Sequence, residues 1–426
     1  MTRRMAGCVA AGLALPAGAA ALTLALATRA AAQQRFELVP SVGLSETFSD
    51  NVDFVPENER SGFTSNVTPG IRAGVVGGKL EGTAQYAVNF RFEHFREGES
   101  PGVDHNASAR LDYMATPRWR LFLREDFRLS PDPTQDLVFV TPQGQTFRSF
   151  EEAARTPGVD VLDLRSLLVR EDEIRNQLRV GTDYDLTPRW AVGAEALWIV
   201  NESLDDLFVE DEQTYAGRLS TDYRLTPADD LELGLRYDLT LFEVTPDATV
   251  VRADLSWERR ISEVLRLALT AGYAAVRTRD GGDEGGDEVG DEDLGYGGAT
   301  LRGDLAQGQW QLRIAREIGT GDGSGDVSTR DVLEASISRT LSPGLSAGGA
   351  LAFLRTRSVR GLGTDSDTVQ GTVSLSWRFI RWASALVSYR YRYEDQVDGR
   401  SGIDENSALV GIEVLWPIRE MAGLAP

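Results

Sequence analysis

Cysteine is almost missing from this 426-residue chain, Cys8 being the only one, so neither an intramolecular disulfide nor a thiolate metal site can form. Histidine is nearly as scarce. His94 and His105 are the only two, and the nearest constellation is Asp104-His105-Asn106-Ala107-Ser108. A histidine beside a nucleophile would suit a membrane phospholipase or protease. No other catalytic motif, metal-ligand cluster or phosphate-binding glycine motif accompanies it, so the chain reads as a non-enzyme without a cofactor. Lysine occurs once, at Lys79, and acidic residues outnumber basic ones 65 to 44, for a formal charge of -21. Such a balance excludes nucleic acid as a partner, because a phosphate backbone rewards basic surface. Past residue 32 no apolar run reaches the roughly 18 residues of a spanning helix.

The first residues read as a secretory signal. Arg3 and Arg4 give a positive start, Val9 to Ala27 an apolar small-residue run, and Ala30-Ala31-Ala32 a cleavage site before Gln33. Cys8 precedes the apolar stretch, whereas a lipid-attached cysteine would follow it, and the residues after the arginines do not fit twin-arginine export. The expected division is a signal over 1–32, a barrel over 33–417 and a periplasmic tail over 418–426.

What the chain does have is one phase of alternating hydrophobicity from residue 36 to residue 416. Asp112-Tyr113-Met114-Ala115-Thr116-Pro117 recurs as Asp183-Tyr184-Asp185-Leu186-Thr187-Pro188 and as Asp222-Tyr223-Arg224-Leu225-Thr226-Pro227, each closing one strand and opening the next. In Leu80 to Glu93, Leu80, Ala84, Tyr86, Val88, Phe90 and Phe92 share one face, while Glu81, Thr83, Gln85, Asn89, Arg91 and Glu93 share the other. A sheet is written this way when one face meets hydrocarbon and the other water. Counting such segments predicts an all-β fold, a transmembrane antiparallel β-barrel of about 18 strands with short periplasmic turns and longer extracellular loops, placed in the bacterial outer membrane. Short turns are read at Val76-Gly77-Gly78-Lys79, Thr116-Pro117-Arg118-Trp119, Thr187-Pro188-Arg189-Trp190 and Ser342-Pro343-Gly344, among others. Tyr113, Tyr184, Tyr223, Trp257 and Trp377 would form one aromatic girdle, and Phe90, Phe92, Trp198, Tyr237, Tyr273, Tyr389 and Tyr391 the other.

Two outer connections stand apart. Leu129 to Asp172 is long, and Val161 to Val169 within it is leucine-rich enough to fold inward as a constriction. Asp280 to Asp293 reads DGGDEGGDEVGDED; a solvated tip is expected, with divalent-cation binding as the alternative.

By parity the inward face is rich in arginine. Arg91, Arg110, Arg124, Arg128 and Arg179 point to the lumen from the first third, and Arg218, Arg236, Arg252 and Arg266 from the middle. Arg302, Arg313, Arg378, Arg390 and Arg392 follow from the last third. Inward acids such as Asp112, Asp126, Asp183, Glu232, Asp238, Asp254 and Glu334 interleave with them, so cross-strand ion pairs that stiffen the wall account for most of the set. The remainder would offer an anionic chain many weak handholds, the condition for binding that is easy to leave. Arg378, Arg390 and Arg392 are expected to form the most concentrated patch.

The run Val39-Pro40-Ser41-Val42-Gly43-Leu44-Ser45-Glu46-Thr47-Phe48-Ser49-Asp50-Asn51-Val52, with Val67-Thr68-Pro69-Gly70-Ile71 after it, resembles the opening of the PEP-CTERM system-associated outer-membrane proteins and related β-barrel porin-like proteins of exopolysaccharide loci. The resemblance implies export of an extracellular polysaccharide through the lumen, with separate periplasmic or inner-membrane export proteins as partners alongside outer-membrane lipid and lipopolysaccharide. Two readings stay open beside it. One is a structural or adhesive surface barrel with an occluded lumen, the other a general diffusion porin.

Overall fold

The computed structural model of the protein describes residues 35–95, 102–130, 173–203, 211–243, 246–279, 288–319, 327–359, 365–396 and 402–416. The signal segment and the leucine-rich stretch 161–169 lie outside the described residues. Among the described residues no helix is long and apolar enough to cross a membrane; the crossings are strands.

There are 18 of them. The first six are β1 (Arg35–Ser49), β2 (Gly62–Val76), β3 (Leu80–Glu93), β4 (Gly102–Thr116), β5 (Trp119–Ser130) and β6 (Glu173–Thr187). Next come β7 (Trp190–Ser203), β8 (Glu212–Thr226), β9 (Asp229–Phe242), β10 (Asp247–Arg260), β11 (Leu265–Arg279) and β12 (Glu288–Leu305). The last are β13 (Gly308–Gly319), β14 (Ser328–Ser342), β15 (Leu345–Ser358), β16 (Ser366–Ile380), β17 (Ala383–Gln396) and β18 (Ile403–Leu415). Each pairs antiparallel with its chain neighbours, and β1 closes the ring by pairing with β18 from Ser41↔Leu415 to Ser49↔Ser407. Closure leaves no strand edge unpaired, which a sheet in hydrocarbon requires.

The repeated turns share one local mechanism. Thr116, Thr187 and Thr226 each accept, through the hydroxyl, the backbone N–H two residues on, at 3.3, 3.2 and 3.1 Å, while the proline between them has no N–H to satisfy. All three also carry a register shift just before the turn. In two copies the tryptophan opening the next strand donates its indole N–H across to a neighbouring strand, Trp119 to Thr182 at 2.7 Å and Trp190 to Thr221 at 2.5 Å. In the third copy Asp229 takes that place and accepts from Trp257 at 3.2 Å. A polar tip satisfied by the wall lets the ring sit at the membrane border.

Burial separates the two faces. Leu219, Val373, Ile314 and Leu351 are 62%, 63%, 59% and 58% exposed on the outward face, which is where hydrocarbon covers them. An outward Val373→Arg substitution, placed halfway along β16, is therefore expected to cost about 2–4 kcal/mol of folding free energy, read by denaturant unfolding from bilayers. The outward Val373→Leu control should change little. Among the described residues the buried apolar side chains form separate clusters rather than one central core. Inward residues are sealed in the extracellular half, where Ala248, Val250, Ala274 and Val276 form one apolar cluster and Val332, Ala350, Ala352 and Leu354 another, and also nearer the periplasm on β14 to β17, where Ser338, Ser346, Ser376, Ser384 and Leu386 are buried. Toward the periplasm inward residues such as Arg266, Arg302, Asp304 and Arg378 are exposed.

One expectation is corrected here. The run Asp280 to Asp293 is not a solvated tip throughout, because Glu288 to Asp293 belong to β12 and pair with Arg279 to Ala275 of β11. Glycine and aspartate are poor strand formers, yet an available ladder partner outweighs that preference.

Candidate lumenal site

The register converts the inward arginines into two different arrangements. The first is a belt. Arg110 of β4 lies directly opposite Arg124 of β5, which lies opposite Arg179 of β6. After a short step at β7, where Glu195 faces Arg218 of β8, the belt resumes as Arg218 opposite Arg236 of β9 and Arg236 opposite Arg252 of β10. Like charges directly opposed across strands are destabilising, so carboxylates are needed between them. Arg218 donates to Glu232 at 2.6 Å and lies 3.6 Å from Asp254. Asp238 accepts from Arg236 at 2.7 Å and lies 3.3 Å from Arg252, and Arg179 is 3.6 Å from Glu195. Arg218 and Arg179 remain partly open to the lumen, with 34% and 33% of their side chains exposed, whereas Arg252 is largely buried.

Arg110 and Arg124 differ from the rest. Among the described residues neither forms an ion pair; Arg124 instead lies over the ring of inward Phe122, 5.3 Å from its centroid. The two half-buried guanidinium groups are opposed with no carboxylate in ion-pair contact among the described residues.

The second arrangement is a clamp in the sealed outer half. Arg390 donates to both oxygens of Glu405 at 3.2 and 3.1 Å, Arg392 donates to Glu394 at 3.1 Å, and all four side chains are buried. Arg91, also buried, lies 3.2 Å from Glu93 and 3.8 Å from Asp104. The loop between β1 and β2 reaches onto this clamp. Asn51 anchors it through donation to the carbonyls of Val55 and Asp404, both at 2.9 Å, and Phe54 stacks on Arg392 with 3.9 Å between guanidinium carbon and ring centroid. Phe54 adopts φ of 46°, a conformation that costs a bulky residue strain and persists where surroundings impose it.

The sequence expectation of one patch at Arg378, Arg390 and Arg392 is not met. Arg390 faces Thr372, so Arg378 lies six residues nearer the periplasm on β16, ~20 Å away at ~3.3 Å per residue. Arg266 faces Arg302 near the periplasmic end, where Arg302 donates to Gln311 at 2.7 Å. Arg313 pairs with Glu317 and approaches Glu334 at 4.0 Å. Sequence reading missed inward Arg120, held by Asp183 at 2.5 Å, although its even parity on β5 marks it.

The histidines are not brought to any inward site. His105 and Ser108 are three residues apart on one strand, so the pleat sends them to opposite faces, and His105 instead contacts the Tyr86 hydroxyl at 2.7 Å. His94 meets Ser65 at 2.7 Å on the outward face, and Ser65 donates to Glu46 at 2.5 Å. That carboxylate sits on the hydroxyl rather than behind the imidazole, the reverse of the order a nucleophilic triad needs. Among the described residues no group of three His, Cys, Asp or Glu side chains is placed to hold a metal.

No family model matches the chain, and no curated protein matches it in sequence. Among solved structures, OccAB4 of Acinetobacter baumannii is similar at 10% identity and a TM-score of 0.47, over 91% of this chain and 99% of that one. OpdK of Pseudomonas aeruginosa with vanillate gives 11% and 0.48 over 89% and 99%, and OccK2 (OpdF) of Pseudomonas aeruginosa with glucuronate gives 9% and 0.48 over 89% and 98%. The closed ring of 18 strands, its apolar exterior and its alternating turns and loops define a bacterial outer-membrane β-barrel.

Proposed function

We propose that this barrel is a diffusion channel for small anionic solutes, with the arginine belt of β4 to β10 as the strip along which they pass. The observation that carries the reading is the pair Arg110 and Arg124, directly opposed and without an ion pair among the described residues. Opposing like charges lowers wall stability, so a wall function alone does not account for the pair, and a role in the lumen does. Paired arginines further round the belt supply weaker, partly screened attraction, which suits passage rather than capture.

A polysaccharide conduit, the main expectation from the sequence, is less well supported. A polymer needs a wide path along the whole axis, whereas inward side chains of the outer half are sealed and Phe54 lies on Arg392. The same sealing favours the second reading, a surface barrel with an occluded lumen. Planar-bilayer recording separates them: the channel reading expects steady conductance with anion preference, and a barrel that is folded but never conducts would end it.

Loop 50–61 would set the width of the mouth. A cation–π contact of this kind contributes about 1 kcal/mol, so Phe54→Ala is expected to raise the displaced-loop population about fivefold and increase single-channel conductance. Unchanged conductance would remove the loop from the path.

A further inference from the structure

Outside the wall, four neighbouring strands carry directly opposed residues of alternating sign. Arg316 of β13 faces Asp331 of β14, Asp331 faces Arg355 of β15, and Arg355 faces Asp367 of β16. Arg316 donates Nε and Nη2 to the two oxygens of Asp331 at 2.6 and 2.8 Å, and Arg355 donates the same edge to Asp367 at 3.1 and 3.3 Å. Arg357, two residues further out on β15, lies 2.9 Å from Asp367.

The depth of this row is set by its neighbours. Ile314 and Leu333, one outward step toward the periplasm, are 59% and 48% exposed and belong to the hydrocarbon band. A charge within that band would cost several kcal/mol, so Arg316, Asp331, Arg355 and Asp367 mark the level where headgroups begin. Basic residues at this outward level are also unevenly spread. They occur as Arg277, Arg316, Arg355 and Arg357 on β11 to β15, interleaved with Asp291, Asp331 and Asp367, while Glu46 on β1, Asp395 on β17 and Asp404 on β18 hold comparable outward positions on strands without outward arginines at that level.

Exposed ion pairs contribute ~0–1 kcal/mol each, so stability gives little reason to gather these arginines in one sector. A guanidinium that spends its Nε and Nη2 edge on a carboxylate is held in one plane and keeps Nη1 on the other side. Among the described residues Nη1 of Arg316 and of Arg355 has no protein partner, and the two stand on strands separated by one other, ~10 Å apart.

We propose that the outer rim of β13 to β15 binds phosphate-bearing glycolipid of the outer leaflet. Asp331 and Asp367 fix the guanidinium planes, and the remaining edges of Arg316 and Arg355 take the lipid phosphates, while Arg357, whose Nη1 donates to the carbonyls of Thr356 at 2.7 Å and Ser366 at 3.1 Å, adds only its charge from above. The site faces the membrane rather than the lumen and does not depend on what the lumen conducts.

The test uses the full barrel in phosphatidylcholine vesicles with and without lipid A, comparing phosphorylated and dephosphorylated lipid A. Lipid retained by the folded protein is read by native mass spectrometry and the lipid-dependent change in unfolding midpoint by fluorescence. Phosphorylated lipid A is expected to bind and stabilise the wild type, and Arg316→Gln with Arg355→Gln to weaken that binding about tenfold. The partner variant, Asp331→Asn with Asp367→Asn, removes the same ion pairs but keeps the cations, so it should lose less binding than the arginine variant and controls for a purely structural defect. Equal binding of dephosphorylated lipid A, or equal losses in the two variants, would overturn the proposal.

Discussion

Replacing Arg110 and Arg124 with glutamate is expected to turn an anion-preferring channel into a cation-preferring one. An anion in lumenal water ~8 Å from a guanidinium gains about 0.5 kcal/mol at the dielectric of water, so reversing one charge changes its energy by about 1 kcal/mol, about fivefold in local concentration. Two reversals compound to roughly 25-fold, and a cation moves the opposite way. Salt weakens the effect: with a Debye length near 10 Å at 0.1 M and ~3 Å at 1 M, the shift should be largest in dilute electrolyte and shrink sharply in concentrated salt. Reversal potentials across a salt gradient give the ratio directly. The matching control is Arg266→Glu with Arg302→Glu, a second opposed pair of inward arginines near the periplasmic opening, where exposure is greater and screening stronger. A selectivity unmoved by the Arg110 and Arg124 reversals would show that solutes do not pass along the belt.

Much of this belt can be read from hairpin arithmetic. Reflecting the chain through Pro117 brings residue 110 onto 124, and reflecting it through Pro227 brings 218 onto 236, as the pairings Arg110↔Arg124 and Arg218↔Arg236 show. The same reflection through Arg381-Trp382 places Arg390 near Thr372 and would have separated Arg378 from the expected patch. Alternation gives the face of a residue; only the turn gives its depth. Where a turn is short the depth is legible, and where a long connection intervenes it is not. Arg179 joins Arg124 across the connection 131–172, and no sequence period states the stagger of β5 against β6.

Strand identity was legible for a related reason. The period of two persists because each inward or outward position meets one medium throughout, and β3 runs over Leu80–Glu93 as its alternation predicts. Sealing of the outer half was not legible. Val250 and Leu354 lie inward yet are fully buried, and an apolar residue of inward parity gives no sign by itself of whether it meets water or other side chains. Arg390 and Arg392 read as open handholds for the same reason, although burial makes them part of a packed clamp.

That clamp predicts an asymmetric response to mutation. Glu405 accepts from Arg390 on β17 and also from Ser49 on β1, at 2.9 Å, so it bridges the strands on both sides of the seam where the ring closes. Beside it Asp50 accepts from the Asn406 backbone and side chain, both at 2.7 Å. Glu405→Ala would strand a buried guanidinium, and removing one partner of a buried pair costs about 3–5 kcal/mol. Loss of the Ser49 link adds to this at the seam, which is expected to open first on unfolding. Replacing both partners, Arg390→Met with Glu405→Leu, should cost far less or raise stability by about 1–4 kcal/mol, because Nε and Nη1 of Arg390 are buried without a hydrogen-bond partner. Unfolding of refolded barrels in urea, with band shift on heating as the check for closure, compares the two. If the double variant is as unstable as Glu405→Ala, the charges hold the seam by more than their mutual pairing, and the clamp takes part in closing the ring.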